Sequence, residues 1–248
     1  MLHPVSTEGN SSKNDDLKCV NLWSFKMRPD ELIKKWDEWI GRIYTDIQKL
    51  LIMRHIFVEV QKIIKANPRI HQESSFYSWM SDVYVAAATM GVRRQVDNDS
   101  QSISLVRLLE EIKKNPEVLT RKWFVALYTD PGIRALIADR DFDRFAGTIG
   151  THVDPSFVEA DIVALKSKAK NLERYATKLV AHLDKKGPTT IPTFHDLEEC
   201  VDFMEELLKK YLLLLRADCY TQILPTWQYD WQAIFREPWI PPEPDSSP

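Results

Sequence analysis

Apolar side chains recur at three- and four-residue intervals over most of the chain, and that spacing predicts helices. After Pro29, a first-turn proline, Trp36, Ile40, Ile43, Ile47, Leu50, Phe57 and Ile64 form one stripe that runs to the Asn67-Pro68 stop. From Phe76 to Val96 the polar face almost vanishes, since Trp79, Met80, Val83, Tyr84, Val85, Met90 and Val92 point in every helical direction. Such a helix is expected in the centre of a bundle. The "DNDSQS" stretch supplies caps for a shorter helix, "ISLVRLLEEIKKN", which closes at Asn115-Pro116. "VLTRKWFVALY" reads as one more short helix, and Asp139 to Pro155 as a short helix leading into an ordered connection marked by Gly147 and Gly150.

A second long seam follows in which Val158, Ile162, Leu165, Ala169, Leu172, Ala176, Leu179 and Leu183 alternate steps of four and three. It predicts an unbroken helix to Gly187-Pro188, packed along its length. Residues from about His195 to Ala217 carry the last major stripe, and "WQAIFREPWIPPEPDSSP" predicts a turn or two of helix before an extended, proline-rich end. No segment alternates with the two-residue period of a strand, so the fold class is all-α: an antiparallel helical bundle with additional helices and an extended C-terminal tail. Residues 1–22, rich in Ser, Asn and Asp, are expected to be disordered. Residues 23–248 are expected to form a single helical domain.

Composition narrows the function classes. Hydrophobic residues make up 44% and charged residues 28%, with only 7 Gly, as in a globular helical protein. The net charge of −3 argues against a globally basic nucleic-acid surface while leaving room for a local basic cleft. Cys19, Cys200 and Cys219 are too few and too far apart for a disulfide framework or a zinc site. The start lacks the basic and apolar regions of a secretory signal, and no apolar run approaches the ~20 residues of a membrane span. A cytoplasmic protein without membrane association is expected, with no metal and no cofactor, since phosphate-loop and metalloprotease motifs are missing.

Candidate chemistry gathers on a few residues. His182, in "RYATKLVAHLD", lies one residue before seam position Leu183, which puts it at the edge of the buried face; Tyr175 shares that edge. Lys178 precedes His182 by one turn, while Arg174 points nearly opposite the seam. A histidine there either fills space at a helix end or transfers protons. Arg54, in "LIMRHIFVEV", falls on the apolar stripe of the first helix and requires a partner. Arg93 and Arg94 end the apolar helix. They either satisfy its last carbonyls and pair with Asp97 or Asp99, or hold a phosphate. His55 lies about 100° from Arg54 around the helix, and His152 sits in a loop as either a helix-entry contact or a site residue. The aromatic residues of the tail read as a packed clasp.

Together, "LIMRHIFVEVQKII", "VRRQVD", "SISLVRLLEEI", "YATKLVAHLD" and "QYDWQAIFREPWIP" resemble the AbiU-type HEPN family of abortive-infection proteins, in the same order, from about Trp36 to Trp239. The resemblance implies a HEPN bundle, homodimerisation, and a role in phage defence. Many HEPN proteins are metal-independent ribonucleases that use an Arg, four to six intervening residues, and a His. His182 matches that histidine as general acid or base. Arg174 does not match, because seven residues separate it from His182. Catalysis would therefore combine His182 with Arg93 or Arg94, with Arg54, Lys178 and Tyr175 binding substrate. The alternative implied by the same departure is an inactive HEPN module that binds a nucleotide, RNA or a partner protein and regulates another defence component.

Overall fold

The computed structural model describes residues 27–240 except Leu183, so the expected disorder of residues 1–22 lies outside the described residues. The described residues form eight α-helices: α1 (Pro29–Ala66), α2 (Ser75–Val96), α3 (Leu105–Lys114), α4 (Arg121–Leu127), α5 (Pro131–Ile133), α6 (Asp139–Ala146), α7 (Pro155–Tyr175) and α8 (Phe194–Arg216). A π-helical segment, Arg134–Ala138, joins α5 to α6, and a second, Ala176–Ala181, extends α7. Among the described residues there is no strand, only an isolated bridge between Thr120 and His152.

Helix boundaries follow local chemistry. Pro29 occupies the first turn of α1, where its missing N–H costs nothing, and the Glu31 carboxylate accepts from the Arg28 N–H. Ser74, Ser104, Thr193 and Asp154 accept a backbone N–H at the starts of α2, α3, α8 and α7. Ala217 ends α8 in the left-handed conformation, with φ of 55°.

Side-chain pairings reveal the packing directions. Along α1, Asp46, Leu50 and Phe57 meet Arg94, Gly91 and Tyr84 of α2 in descending order, so the two helices are antiparallel. A Cβ on Gly91 would lie 3.3 Å from Leu50, which is why the backbones approach closely there. Asp37, Arg54 and Phe57 likewise meet Arg216, Asp202 and Phe194, making α8 antiparallel to α1. Helix α7 runs antiparallel to α8 through Asp161 to Lys210 and Lys168 to Glu199, and α3 lies against α7 through Lys113 to Glu159. The core contains Trp36, Ile40, Ile43, Ile47 and Leu50 of α1, Val92 of α2, Leu105 and Leu108 of α3, Leu165 and Leu172 of α7, and Met204 and Leu208 of α8. Each such side chain stabilises the fold by about 1.5–3 kcal/mol on full burial.

Three sequence expectations are corrected. Helix α2 is not buried all round: Ala88, Val92 and Val96 enter the core, but Phe76, Trp79 and Val83 are exposed because, among the described residues, that side of its first half is left open. "VLTRKWFVALY" is not one helix, since a 3₁₀ turn (Pro116–Val118), a bend at Leu119 and the extended Thr120 precede α4. The seam of α7 stays buried through Ala176, after which the helix loosens and Leu179 is 40% exposed. Leu183, its final expected position, is outside the described residues.

Candidate functional site

The block "VRRQVD" closes α2 at its C-cap Asp97, and its polar residues tie that end to α7, α1 and α3. Arg93 donates from Nε to Thr177 Oγ1 at 3.1 Å, joining the end of α2 to the π-helical end of α7. Arg94 turns to α1 and forms a two-pronged pair with Asp46, at 2.8 and 3.3 Å. Gln95 is buried. Its amide donates to the same Asp46 carboxylate at 2.7 Å, and its carbonyl accepts from the Leu105 N–H, the first residue of α3, at 3.1 Å. Asp97 accepts from the Ser102 hydroxyl at 2.7 Å. That bond, with a second from the Asp99 N–H, holds the Asp97 carboxyl below its ordinary range. With Asp97 engaged in its own turn, Arg94 finds its partner across the bundle, and the expected pairing of Arg94 with Asp97 or Asp99 is replaced by Asp46. Arg93 retains an electrostatic attraction to Asp97.

At the end of α7, π-helical geometry widens the turn over Ala176–Ala181, a distortion that often accompanies function. Thr177 lies within this segment and accepts from Arg93. Lys178 folds over the following loop, donating to the Gly187 carbonyl at 3.1 Å, with Asp184 3.8 Å away. Gly187 has a φ of +61°, a conformation that side chains resist, so the glycine shapes the loop that Lys178 closes. His182 follows the π segment with extended backbone and an exposed side chain, and it makes no hydrogen bond among the described residues. It therefore caps the helix rather than lying along a continuous helical edge. Tyr175 is half-buried and Arg174 is exposed.

The candidate residues divide between locations. Arg93, Tyr175, Lys178 and His182 belong to the end of α7 and the helix packed on it. Arg94 lies against α1. Arg54 occupies a separate cleft of about 440 Å³ between the second half of α1 and the start of α8. Its guanidinium pairs with Asp202 and approaches the Glu198 carbonyl, which provides the partner that its position on the apolar stripe demanded. Next to Arg54, the His55 ring stacks on Trp227 with centroids 5.9 Å apart and meets the edge of Trp231 at 6.1 Å. Neither Arg54 nor His55 is buried in the core; both lie half-covered. The tail is a clasp, with Phe235 on Trp239 and Trp239 against Phe76. His152 is exposed, and its backbone bridges to Thr120.

Sequence reasoning did not single out Thr177 or Gln95. Nothing in their spacing marks them, because their partners arrive from other helices. Among the described residues, no group of three or more His, Cys, Asp or Glu is placed to hold a metal ion, and no helix is long and apolar enough to cross a membrane.

Comparison with known proteins adds one finding: a family model, HEPN AbiU2, described as AbiU2, matches residues 33–235. No curated protein and no solved structure gives a significant match. The match covers all the major helices and both halves of the α2–α3 block, so the chain belongs to the AbiU2 family of HEPN proteins and is of the abortive-infection type.

Proposed function

We propose that the chain defends the cell against phage by acting on RNA at the end of α7, with His182 as general acid and base and Arg93 as the phosphate-holding group. The observation that carries this reading is the Arg93 to Thr177 hydrogen bond. It brings a guanidinium from α2 to a point five residues before His182, supplying from another helix the cation that Arg174 cannot supply from the same one. In cleavage, His182 accepts the proton of the attacking 2′-hydroxyl, the guanidinium neutralises charge gathering on the phosphate oxygens, and the departing 5′-oxygen takes a proton back. Lys178 and Tyr175 line the approach, and the expected homodimer would bring two such ends into one particle in the cytoplasm.

The test is incubation of the purified protein with total RNA and with tRNA. Wild type should cut. His182→Ala and Arg93→Ala should each reduce the rate by at least about 100-fold. Intact RNA in every sample, or equal cutting by wild type and His182→Ala, sinks the reading. Intact RNA would favour the second reading, a binding module that regulates another defence component. That reading is supported by the unanchored His182 ring and by the commitment of Arg54 and Arg94 to internal ion pairs.

A further inference from the structure

The C-terminal tail lies against the end of α1 and the start of α2, and a cavity of about 320 Å³ remains between them. Its volume falls at the lower end of small-molecule sites, roughly 300–1,000 Å³. Its deepest lining is aliphatic: Val60 and Ile64 of α1 are buried, with Ile63 and Ile70 beside them. The rest is aromatic. Phe76 and Tyr77 come from the first turn of α2, and Phe235 and Trp239 from the tail.

These rings are set across one another, so they offer π-faces to the same space from more than one side. Phe76 meets Trp239 at 84° with centroids 6.4 Å apart, Tyr77 lies at 66° to Phe76 at 6.0 Å, and Phe235 stacks on Trp239 at 5.8 Å. Two of the rings are tied in place. The Tyr77 hydroxyl donates to the Ile70 carbonyl at 2.8 Å, and the Trp239 indole N–H donates to the Ile234 carbonyl at 2.9 Å. With their donors engaged, these two residues present ring surface to the cavity. Phe76 and Trp239 are 47% and 62% exposed, which leaves the mouth open to a guest.

The cavity also carries one charge. Among the described residues that line it, Glu237 alone is charged at neutral pH, and it makes no ion pair with any of them. Its neighbour Arg236 is held by Asp230, and Lys62 and Lys65 line the adjacent cleft instead. Aromatic faces and a carboxylate both attract a cation, because the ring quadrupole is negative over each face. A bare ammonium or a metal ion would have to give up strongly bound water against an aliphatic lining. A quaternary ammonium ion carries its charge inside alkyl groups, so it satisfies the rings, the carboxylate and the aliphatic lining together.

We propose that the cavity under the tail binds a small, free quaternary ammonium ion, its charge over Trp239 and Phe76 and beside Glu237, its alkyl groups against Val60 and Ile64. The inference goes beyond any activity at the end of α7 and does not require it.

Calorimetric titration of the full chain with choline, its neutral carbon isostere dimethylbutanol and ammonium chloride tests the proposal. Choline and the isostere differ in charge and hardly in shape, so choline should bind about tenfold more tightly. Ammonium, with the charge and no alkyl groups, should be weaker still. Trp239→Leu retains apolar bulk without the π-face and should weaken choline about tenfold, whereas Trp239→Phe keeps a ring and should stay within about threefold of wild type. Glu237→Gln, a change at an exposed side chain, should weaken choline several-fold and leave the isostere unaffected. A trimethyl-lysine peptide should bind no more tightly than choline; a peptide at least about tenfold tighter would overturn the free ion as the guest in favour of a partner's side chain. Absence of choline binding, equal affinities for choline and the isostere, or wild-type choline affinity in both Trp239→Leu and Glu237→Gln overturns the proposal.

Discussion

The junction between α2 and α3 and the end of α7 touch each other through Arg93, yet they are built in opposite ways. At the junction, Asp46 receives both Arg94 and Gln95, Gln95 also receives the Leu105 N–H, and Asp97 is saturated by its own turn. At the end of α7 the helix loosens, apolar contact lapses at Leu179, and His182 stands exposed. A saturated polar node fixes geometry, because each group left unpaired by a disturbance would carry a desolvation cost. An open helix end gives its side chains access to a ligand. Arg93 is the one candidate that takes part in both, positioned by the first region and presented at the second.

The sharpest way to break this comparison is Gln95→Leu. It strands the buried Leu105 N–H and removes one donor from Asp46, so stability should fall by about 3 kcal/mol. Urea denaturation measures the loss, and a change below about 1 kcal/mol would show that the node is not what holds α1, α2 and α3 together. Arg94→Ala comes next. The Arg94 side chain is 53% exposed, so the loss should stay within about 1 kcal/mol, and RNA cleavage by the folded protein should be unchanged. A collapse in cleavage like that of Arg93→Ala would move the phosphate-holding role to Arg94. Thr177→Val removes the acceptor that positions Arg93 while keeping the side-chain shape. We expect a several-fold lower cleavage rate with little change in the urea midpoint; equal effects of Thr177→Val and Arg93→Ala would merge positioning with direct contact.

The smallest effect concerns acid. The Asp97 carboxyl lies below its ordinary value of 3.8 chiefly because of Ser102. A lowered folded-state pKa gives stability that is complete above the unfolded value and disappears as pH falls through the folded one. Ser102→Ala should therefore be slightly less stable than wild type at neutral pH, with the difference closing below about pH 4. Paired denaturation curves at pH 7 and pH 3 show whether the gap narrows; a gap that widens in acid reverses the assignment.

Most of the bundle was legible in the residues. The stripe from Trp36 to Ile64 and the proline at position 29 correspond to α1, and the need of Arg54 for a partner followed from its place on an apolar face. The candidate site was legible only in part. His182 and the arginines were visible, but Thr177 joins them only because Arg93 crosses between helices. The exposure of Trp79 and Leu179 was also hidden, since a spacing pattern records which side chains share a face and not whether another helix covers it.

Periodicity, caps and breakers act through neighbours a few residues away, so the chain carries its all-helical class and most helix boundaries in local order. The pairing of Arg94 with Asp46, the hold of Thr177 on Arg93 and the common orientation of Phe57, Tyr84 and Phe194 depend on contacts across 48, 84 and more than 100 residues. Those contacts arise only when the burial of several apolar stripes fixes helix against helix, and that packing decides which charged groups are consumed internally and which remain open to a ligand.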